Sequence, residues 1–189
     1  MPIYGMVIEG SYDQALEEII KNILQQEIEI ISRPCGGKTQ LMNKFRGHLE
    51  SFRYLGHASK LEKALVIRDA DGKNPEDLLQ RLRNSLQGRI YPFELKFIIV
   101  VQNLETWLLA DEEALSGLAQ RRSGRPVSRV KEALESIVYP KEKLKTILSG
   151  VGVRYTSEVA RKIAKESNTN VLENRCPSFR EFRQAVLDC

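Results

Sequence analysis

The sequence predicts an α/β protein: a mainly parallel sheet of about four strands flanked by helices, followed by a C-terminal helical extension. Three observations carry this reading. Short apolar runs recur through the first 111 residues, and each gives way to a stretch with apolar residues at helical spacing. Such alternation implies right-handed crossovers between parallel strands, with helices on both faces of the sheet. Beyond Asp111 the helical patterns continue, but no convincing strand follows.

Taken in order, residues 2–8 (PIYGMVI) read as the first strand, stopped by Glu9-Gly10. Over 11–26, Leu16, Ile19, Ile20, Ile23 and Leu24 share one helical face. Residues 27–31 (EIEII) alternate polar and apolar, as a half-buried strand does. Pro34 and Gly36-Gly37 form a turn into a helix over 38–54. The third strand, 61–68, contains Ala64-Leu65-Val66-Ile67 and stops at Asp69. Asp71-Gly72 turns the chain, and Asn74 starts a helix with Pro75 at its first position, running to Gln87 before Gly88. Residues 93–101 (FELKFIIVV) are the most apolar strand, with a helix over 104–110 behind it. In the tail, Ser123-Gly124-Arg125-Pro126 reads as a loop, and helical patterns recur at 127–138, 140–149, 155–167 and 178–187. The expected organisation is an α/β core over 1–111 and a basic helical extension over 112–189 packed on it.

Composition bounds the function classes. At 189 residues, 42% hydrophobic and 29% charged, the chain can form a packed core with a soluble surface. No segment approaches the roughly 20 apolar residues of a membrane helix, and the N-terminus lacks a secretory leader. Cys35, Cys176 and Cys189 are odd in number, far apart and form no CxxC pair, and His48 and His57 join no cluster of metal ligands. A disulfide framework or zinc site is therefore unsupported, and a reducing cytoplasm is the expected location. Charge is uneven: residues 1–111 carry 14 Lys and Arg against 15 Asp and Glu, a net of −1, whereas 112–189 carry 15 against 10, a net of +5. A basic tail beside an acidic core is compatible with a polyanionic substrate, and equally with ordinary solvated helix surfaces.

Ligands of open parallel sheets gather at the carboxyl ends of strands. Glu9 follows the first strand, Asp69 and Asp71 the third, and Glu105 the fourth. Carboxylates converging on one crevice repel one another and lose hydration, so they require a compensating charge; Mg²⁺ or Mn²⁺, with their preference for oxygen, would supply it. The Asp-x-Asp spacing places Asp69 and Asp71 on one side if the strand alternation continues, with small Ala70 pointing away. Gly72 would allow a tight turn past the site.

Cys35-Gly36-Gly37-Lys38-Thr39 is the second feature. A glycine pair between strand and helix can present backbone N–H groups and Lys38 to a phosphate, with Arg33 adding a bidentate contact; an ordinary glycine turn is the alternative. The full P-loop pattern fails, because it requires glycine where Ser32 stands. Arg68 and Lys73 flank the acidic pair, where Arg68 would bind phosphate or pair with a carboxylate. Asp111 suits a helix cap. Trp107 reads as a core anchor, and Arg180 with Arg183 as a solvated helix face.

The motifs VIEGSYD (7–13) and LVIRDADGK (65–73) resemble the TOPRIM fold of topoisomerases, primases and overcoming-lysogenization-defect nucleases, in which a glutamate follows the first strand and a DxD the third. The ordered set IEGSYD, RPCGGK, RDADGK, LETWLLAD and CPSFREF is similar, over the whole chain, to family 4276 of the domains of unknown function, regarded as a TOPRIM relative. The resemblance implies a metal-dependent nuclease or related phosphodiester-processing enzyme. Glu9 would be ligand or acid/base, Asp69 and Asp71 the Mg²⁺ holders, Glu105 a fourth ligand, and Lys38 and Arg68 phosphate contacts. It also implies nucleic acid as partner, and a role as effector of a prokaryotic defence system beside an ATPase. None of Tyr12, Tyr54, Tyr91, Tyr139 and Tyr155 has the context of a nucleophile, which favours hydrolysis by water. The rival classes are a non-catalytic nucleic-acid- or ATPase-binding module with a degenerate site, and an aspartyl-nucleophile phosphotransferase, whose D-x-D would follow the first strand and not the third.

Overall fold

The computed structural model describes residues 1–55 and 61–188; His57 and Cys189 lie outside them. Four strands form one sheet: β1 (Ile3–Ile8), β2 (Glu29–Pro34), β3 (Leu61–Asp69) and β4 (Glu94–Val100). Their order is β2-β1-β3-β4, and every pair is parallel. The expected α/β class with a four-stranded parallel sheet holds.

The connections alternate with the strands. A single 3₁₀ turn (Tyr12–Ala15) runs into α1 (Leu16–Leu24), which leads to β2; α2 (Lys38–Phe52) leads to β3, and α3 (Pro75–Ser85) to β4. The Asn74 side chain accepts the Glu76 N–H at 2.9 Å and caps α3, and Pro75 occupies its first position. β2 runs later than its EIEII pattern suggests, because its pairing with β1 continues from Ile3 opposite Glu29 to Ile8 opposite Pro34.

Strand alternation divides the core in two. Met6 and Ile8 of β1, Leu65 and Ile67 of β3, and Val100 of β4 face α1 and the C-terminal helices. Val7, Ala64 and Val66 face the other way, against Leu41, Phe45, Leu49 and Phe52 of α2 and Leu82 of α3. At Gly5, a Cβ would lie 2.6 Å from the Phe52 ring, so the approach of α2 leaves that strand position no room for a side chain. The chain thus winds from β1 to β2 in one direction, then back across β1 to β3 and β4. This reversal separates the crossovers at β1 and β3 and opens a crevice beyond their carboxyl ends.

After β4 come α4 (Leu104–Leu108), α5 (Glu112–Ser123), α6 (Pro140–Gly150), α7 (Ser157–Glu166), α8 (Thr169–Arg175) and α9 (Pro177–Leu187). These helices share the apolar cluster of the α1 face. Polar clamps fix them there. Asn22 of α1 donates to the carbonyls of Ala164, Lys165 and Ser167 at the end of α7, at 3.0–3.2 Å. Lys63, buried on β3, donates to the Val186 carbonyl at 3.1 Å at the end of α9. Asp111 caps α5 as its residue type predicts, accepting the Glu113 and Ala114 N–H groups at 3.0 and 3.1 Å. Its second oxygen accepts the Asn168 N–H at 2.8 Å.

The helix expected over 127–138 does not form; a short 3₁₀ turn, Leu134–Ser136, stands within irregular chain. Val127, Val130 and Leu134 are buried as their spacing implies, but the backbone there finds tertiary partners. Val127 exchanges two hydrogen bonds with the Ser116 hydroxyl, and the Val130 carbonyl accepts from Arg175. Helix α8 was not legible in the sequence pattern, being only seven residues long. No helix among the described residues is long and apolar enough to cross a membrane.

Candidate metal centre

Glu9 is the first residue beyond β1, and Asp69 is the last of β3. Because β1 and β3 are adjacent, with Val7 opposite Val66, these residues meet, and the Asp69 N–H donates to Glu9 Oε1 at 3.3 Å. Asp71 arrives differently from the strand alternation expected. The ladder ends with the Ala70 N–H on the Val100 carbonyl, at 2.8 Å, and Asp71 turns into the left-handed region with φ 44°. Aspartate tolerates that conformation better than most residues, and Gly72, at φ 76°, continues the turn. One carboxylate oxygen from each of Glu9, Asp69 and Asp71 lies within 4.8 Å of the other two. That group could hold a metal ion.

The loop from β2 is tied to the same point. The Gly36 and Gly37 N–H groups both donate to the Glu9 carbonyl, at 2.8 and 2.7 Å, with φ values of 91° and 115°. Their expected role as free phosphate donors is therefore corrected: these N–H groups are spent on holding Glu9 in place. The same loop delivers Lys38, first residue of α2, into an ion pair with Asp71. Arg68, on β3, also faces Glu9. It is only 8% exposed, its Nε stands 3.8 Å from Glu9 Oε1, and that nitrogen has no hydrogen-bond partner. It thus faces the Glu9 carboxylate, one of the two roles expected of it.

Burial sets the electrostatics. Glu9 is pushed up to about 7, first by burial and then by the Asp13 charge, against the pull of Lys38. Burial, followed by the charges of Asp13 and Glu9, raises Asp69 well above the ordinary carboxylate range. Asp13 itself rises to about 6, mainly through burial, although its carboxylate accepts the Gly10 N–H at 2.8 Å. These shifts identify a cluster short of positive charge.

The cluster opens into a cavity of about 240 Å³ lined by Glu9, Asp13, Asp69, Asp71, Asn103 and Glu105, with Tyr12 and Lys141 also on its wall. Asn103 Oδ1 is buried without a hydrogen-bond partner, a further oxygen donor in the wall. Glu105, the predicted fourth ligand, lies outside the three-carboxylate group. Its Oε1 accepts the Tyr155 hydroxyl at 3.0 Å and meets the Lys141 ammonium at 3.3 Å. That ammonium sits 3.9 Å from the centroid of the Tyr12 ring, which packs 5.2 Å from the Tyr155 ring. Tyr12 lines the cavity, and Tyr155 stands behind it on Glu105. Tyr155 is held well above the usual phenol range by burial and by Glu105, and serves as a donor.

The family model described as a domain of unknown function (DUF4276) matches residues 8–187, from the end of β1 through α9. The chain belongs to that family. No curated protein and no solved structure matches it. The DUF4276 match embraces the acidic strand ends together with Lys141 and Tyr155, so sheet and tail build the site within one family unit.

Other expected site residues in this DUF4276 chain fall elsewhere. Trp107 is fully buried and donates to Ser178 Oγ at 3.1 Å, as a core anchor should. Arg180 and Arg183 both pair with Glu173. Asp13 was within reach of the sequence, four residues after Glu9 at the strand-to-helix turn. Lys141 and Tyr155 carry no such signal, because only the packing of α6 and α7 brings them to the cavity.

Proposed function

We propose that this DUF4276 protein is a TOPRIM-like nuclease, or a related phosphodiester-processing enzyme, that uses Mg²⁺ or Mn²⁺. The observation carrying this reading is the meeting of Glu9, Asp69 and Asp71 at the switch point of a parallel sheet, where their oxygens share one 4.8 Å neighbourhood. The donor set is entirely carboxylate, with an unpartnered amide oxygen nearby, which suits a hard divalent cation. Glu9, Asp69 and Asp71 would hold the ion, which when bound would neutralise phosphate oxygens and acidify a bound water.

The chain's own groups supply the remaining parts. Lys38, about half exposed and already beside Asp71, is placed to exchange that carboxylate for a substrate phosphate. Were Asp69 and Asp71 to hold the ion without it, Glu9, pushed up to about 7 in the metal-free site, would instead accept or release a proton near neutral pH. Glu105 and Tyr12 orient Lys141 toward the cavity. Gly36 and Gly37 fix the backbone of Glu9. Nucleic acid is the substrate class in this reading, with a cytoplasmic setting and an ATPase partner as the wider context.

Cleavage of DNA and RNA panels in Mn²⁺, comparing wild type with Glu9→Ala and Asp69→Ala, tests the proposal. Wild-type cleavage that falls at least about a hundredfold in both variants is expected. Tyr12→Phe is expected to retain cleavage, since water is the nucleophile. Unchanged cleavage in both acidic variants would exclude this site. The Lys38–Asp71 ion pair favours a second reading, in which the acids are partly neutralised internally and the protein is a non-catalytic binding module. Tight partner binding with no cleavage under any activation would select it.

A further inference from the structure

Many cations of the tail are paired with acids. Arg121 pairs with Glu166, Arg161 with Glu18, Lys162 with Glu158, Arg175 with Glu112, and Arg180 and Arg183 with Glu173. Uncompensated cations also stand on the near-neutral core, near the loop that borders the acidic cavity. Arg33, at the end of β2, donates to the Ser32 carbonyl at 3.3 Å and lies 6.0 Å from the Phe52 ring centroid. Exposed Lys44, on α2, donates to the Cys35 carbonyl at 3.2 Å. Neither is in an ion pair with a carboxylate among the described residues.

His48 lies one turn beyond Lys44, and its Nε2 is buried without a partner. Its imidazole is held below the usual range by burial and by the positive charges of Arg33 and Lys44. Arg33 and Lys44 therefore both face this imidazole, and neither is neutralised by an ion pair among the described residues. The patch also connects to the site. The Cys35 carbonyl that receives Lys44 belongs to the loop whose next two N–H groups grip the Glu9 carbonyl, and Lys38 follows directly. Helix α2 starts there with no side-chain cap and no acidic residue in its first turn, so its positive end adds to the field.

We propose that Arg33 and Lys44, continuing from Lys38, form the lane along which a nucleic-acid backbone reaches the acidic cavity. The lane rests on the phosphodiester reading of that cavity and names the surface by which its substrate is held. A phosphodiester backbone offers regularly repeated charge along such a track. Phosphate contacts of this kind position the strand without reading its sequence.

Fluorescence anisotropy of labelled single-stranded DNA, duplex DNA and RNA, in EDTA so that no metal-dependent cleavage intervenes, tests the lane. The proteins are wild type, Arg33→Glu/Lys44→Glu, and Lys131→Glu/Lys165→Glu, which makes the same charge change on exposed residues elsewhere. The lane variant is expected to bind at least about tenfold more weakly, with a salt slope reduced by about two, while the control changes less than about twofold. Equal weakening in both variants, unchanged binding in the lane variant, or no wild-type binding to any probe would overturn the lane. Competition by polyglutamate as effective as that by unlabelled oligonucleotide would also overturn it, in favour of an acidic protein partner. Matched melting curves confirm that the exposed substitutions leave the fold intact. Loss of binding in the lane variant beside unaltered cleavage by Asp69→Ala would sink the metal site alone; the reverse pair of results would sink only the lane.

Discussion

Asp69→Asn is expected to make the metal-free protein more stable than wild type at pH 8, and to abolish the stabilisation that Mg²⁺ or Mn²⁺ confers. The substitution keeps the shape of the side chain and removes an ionisable group from a cluster in which Glu9, Asp13 and Asp71 all oppose its ionisation. The sign follows from linkage. Glu9, at about 7 against an ordinary 4.5, and Asp13, at about 6 against 3.8, hold protons more tightly in the folded protein than in the unfolded chain. Their contribution is fully present below pH 4 and disappears as pH rises through about 6 to 7. Metal-free wild type should therefore lose stability from pH 5 to pH 8, by roughly 3 kcal/mol for the Glu9 shift alone. Asp69→Asn should flatten that slope and gain about 1–2 kcal/mol at pH 8. Urea titrations at pH 5 and pH 8, with and without Mn²⁺, measure both effects. A variant less stable than wild type at pH 8 would mean that the acids do not repel one another as their burial implies.

Trp107→Ala should have the largest effect on folding, about 3–5 kcal/mol. The ring is fully buried, edge-on to Phe179 at 5.1 Å between centroids and tilted against Phe182 at 4.9 Å. A loss of that size is a large part of a typical domain's stability. It would also loosen α4, which carries Glu105 on the preceding turn and so links the α9 contact to the cavity wall. Trp107→Phe keeps most of the apolar contact but leaves Ser178 without its donor, and should cost about 1–3 kcal/mol. Far-UV circular dichroism in urea follows both variants, since Trp107 is the chain's sole tryptophan and its removal abolishes that fluorescence. A change under about 1 kcal/mol for Trp107→Ala would show that α4 and α9 are not coupled through this residue.

The parts of the fold legible in the sequence are those governed by local rules. Apolar runs ended by Glu9 and Asp69 became β1 and β3, and Asn74-Pro75 began a helix where cap and proline chemistry place it. Legibility failed where distant partners decide. Residues 127–138 have helical spacing, yet Ser116 and Arg175 satisfy backbone groups there, and the chain stays irregular. The acidic trio was readable from strand ends alone, although Asp71 comes to it through a left-handed turn and not by strand alternation. Lys141 and Tyr155 were not readable, because no sequence spacing connects them to Glu105.

Anomalous scattering from a crystal grown with Mn²⁺ tests the shared-cation site most directly. A peak at bonding distance from the carboxylates of Glu9, Asp69 and Asp71, absent in crystals of Asp69→Asn, is the expected result. A map with no peak there at saturating Mn²⁺, or with the ion held elsewhere by other residues, would contradict it.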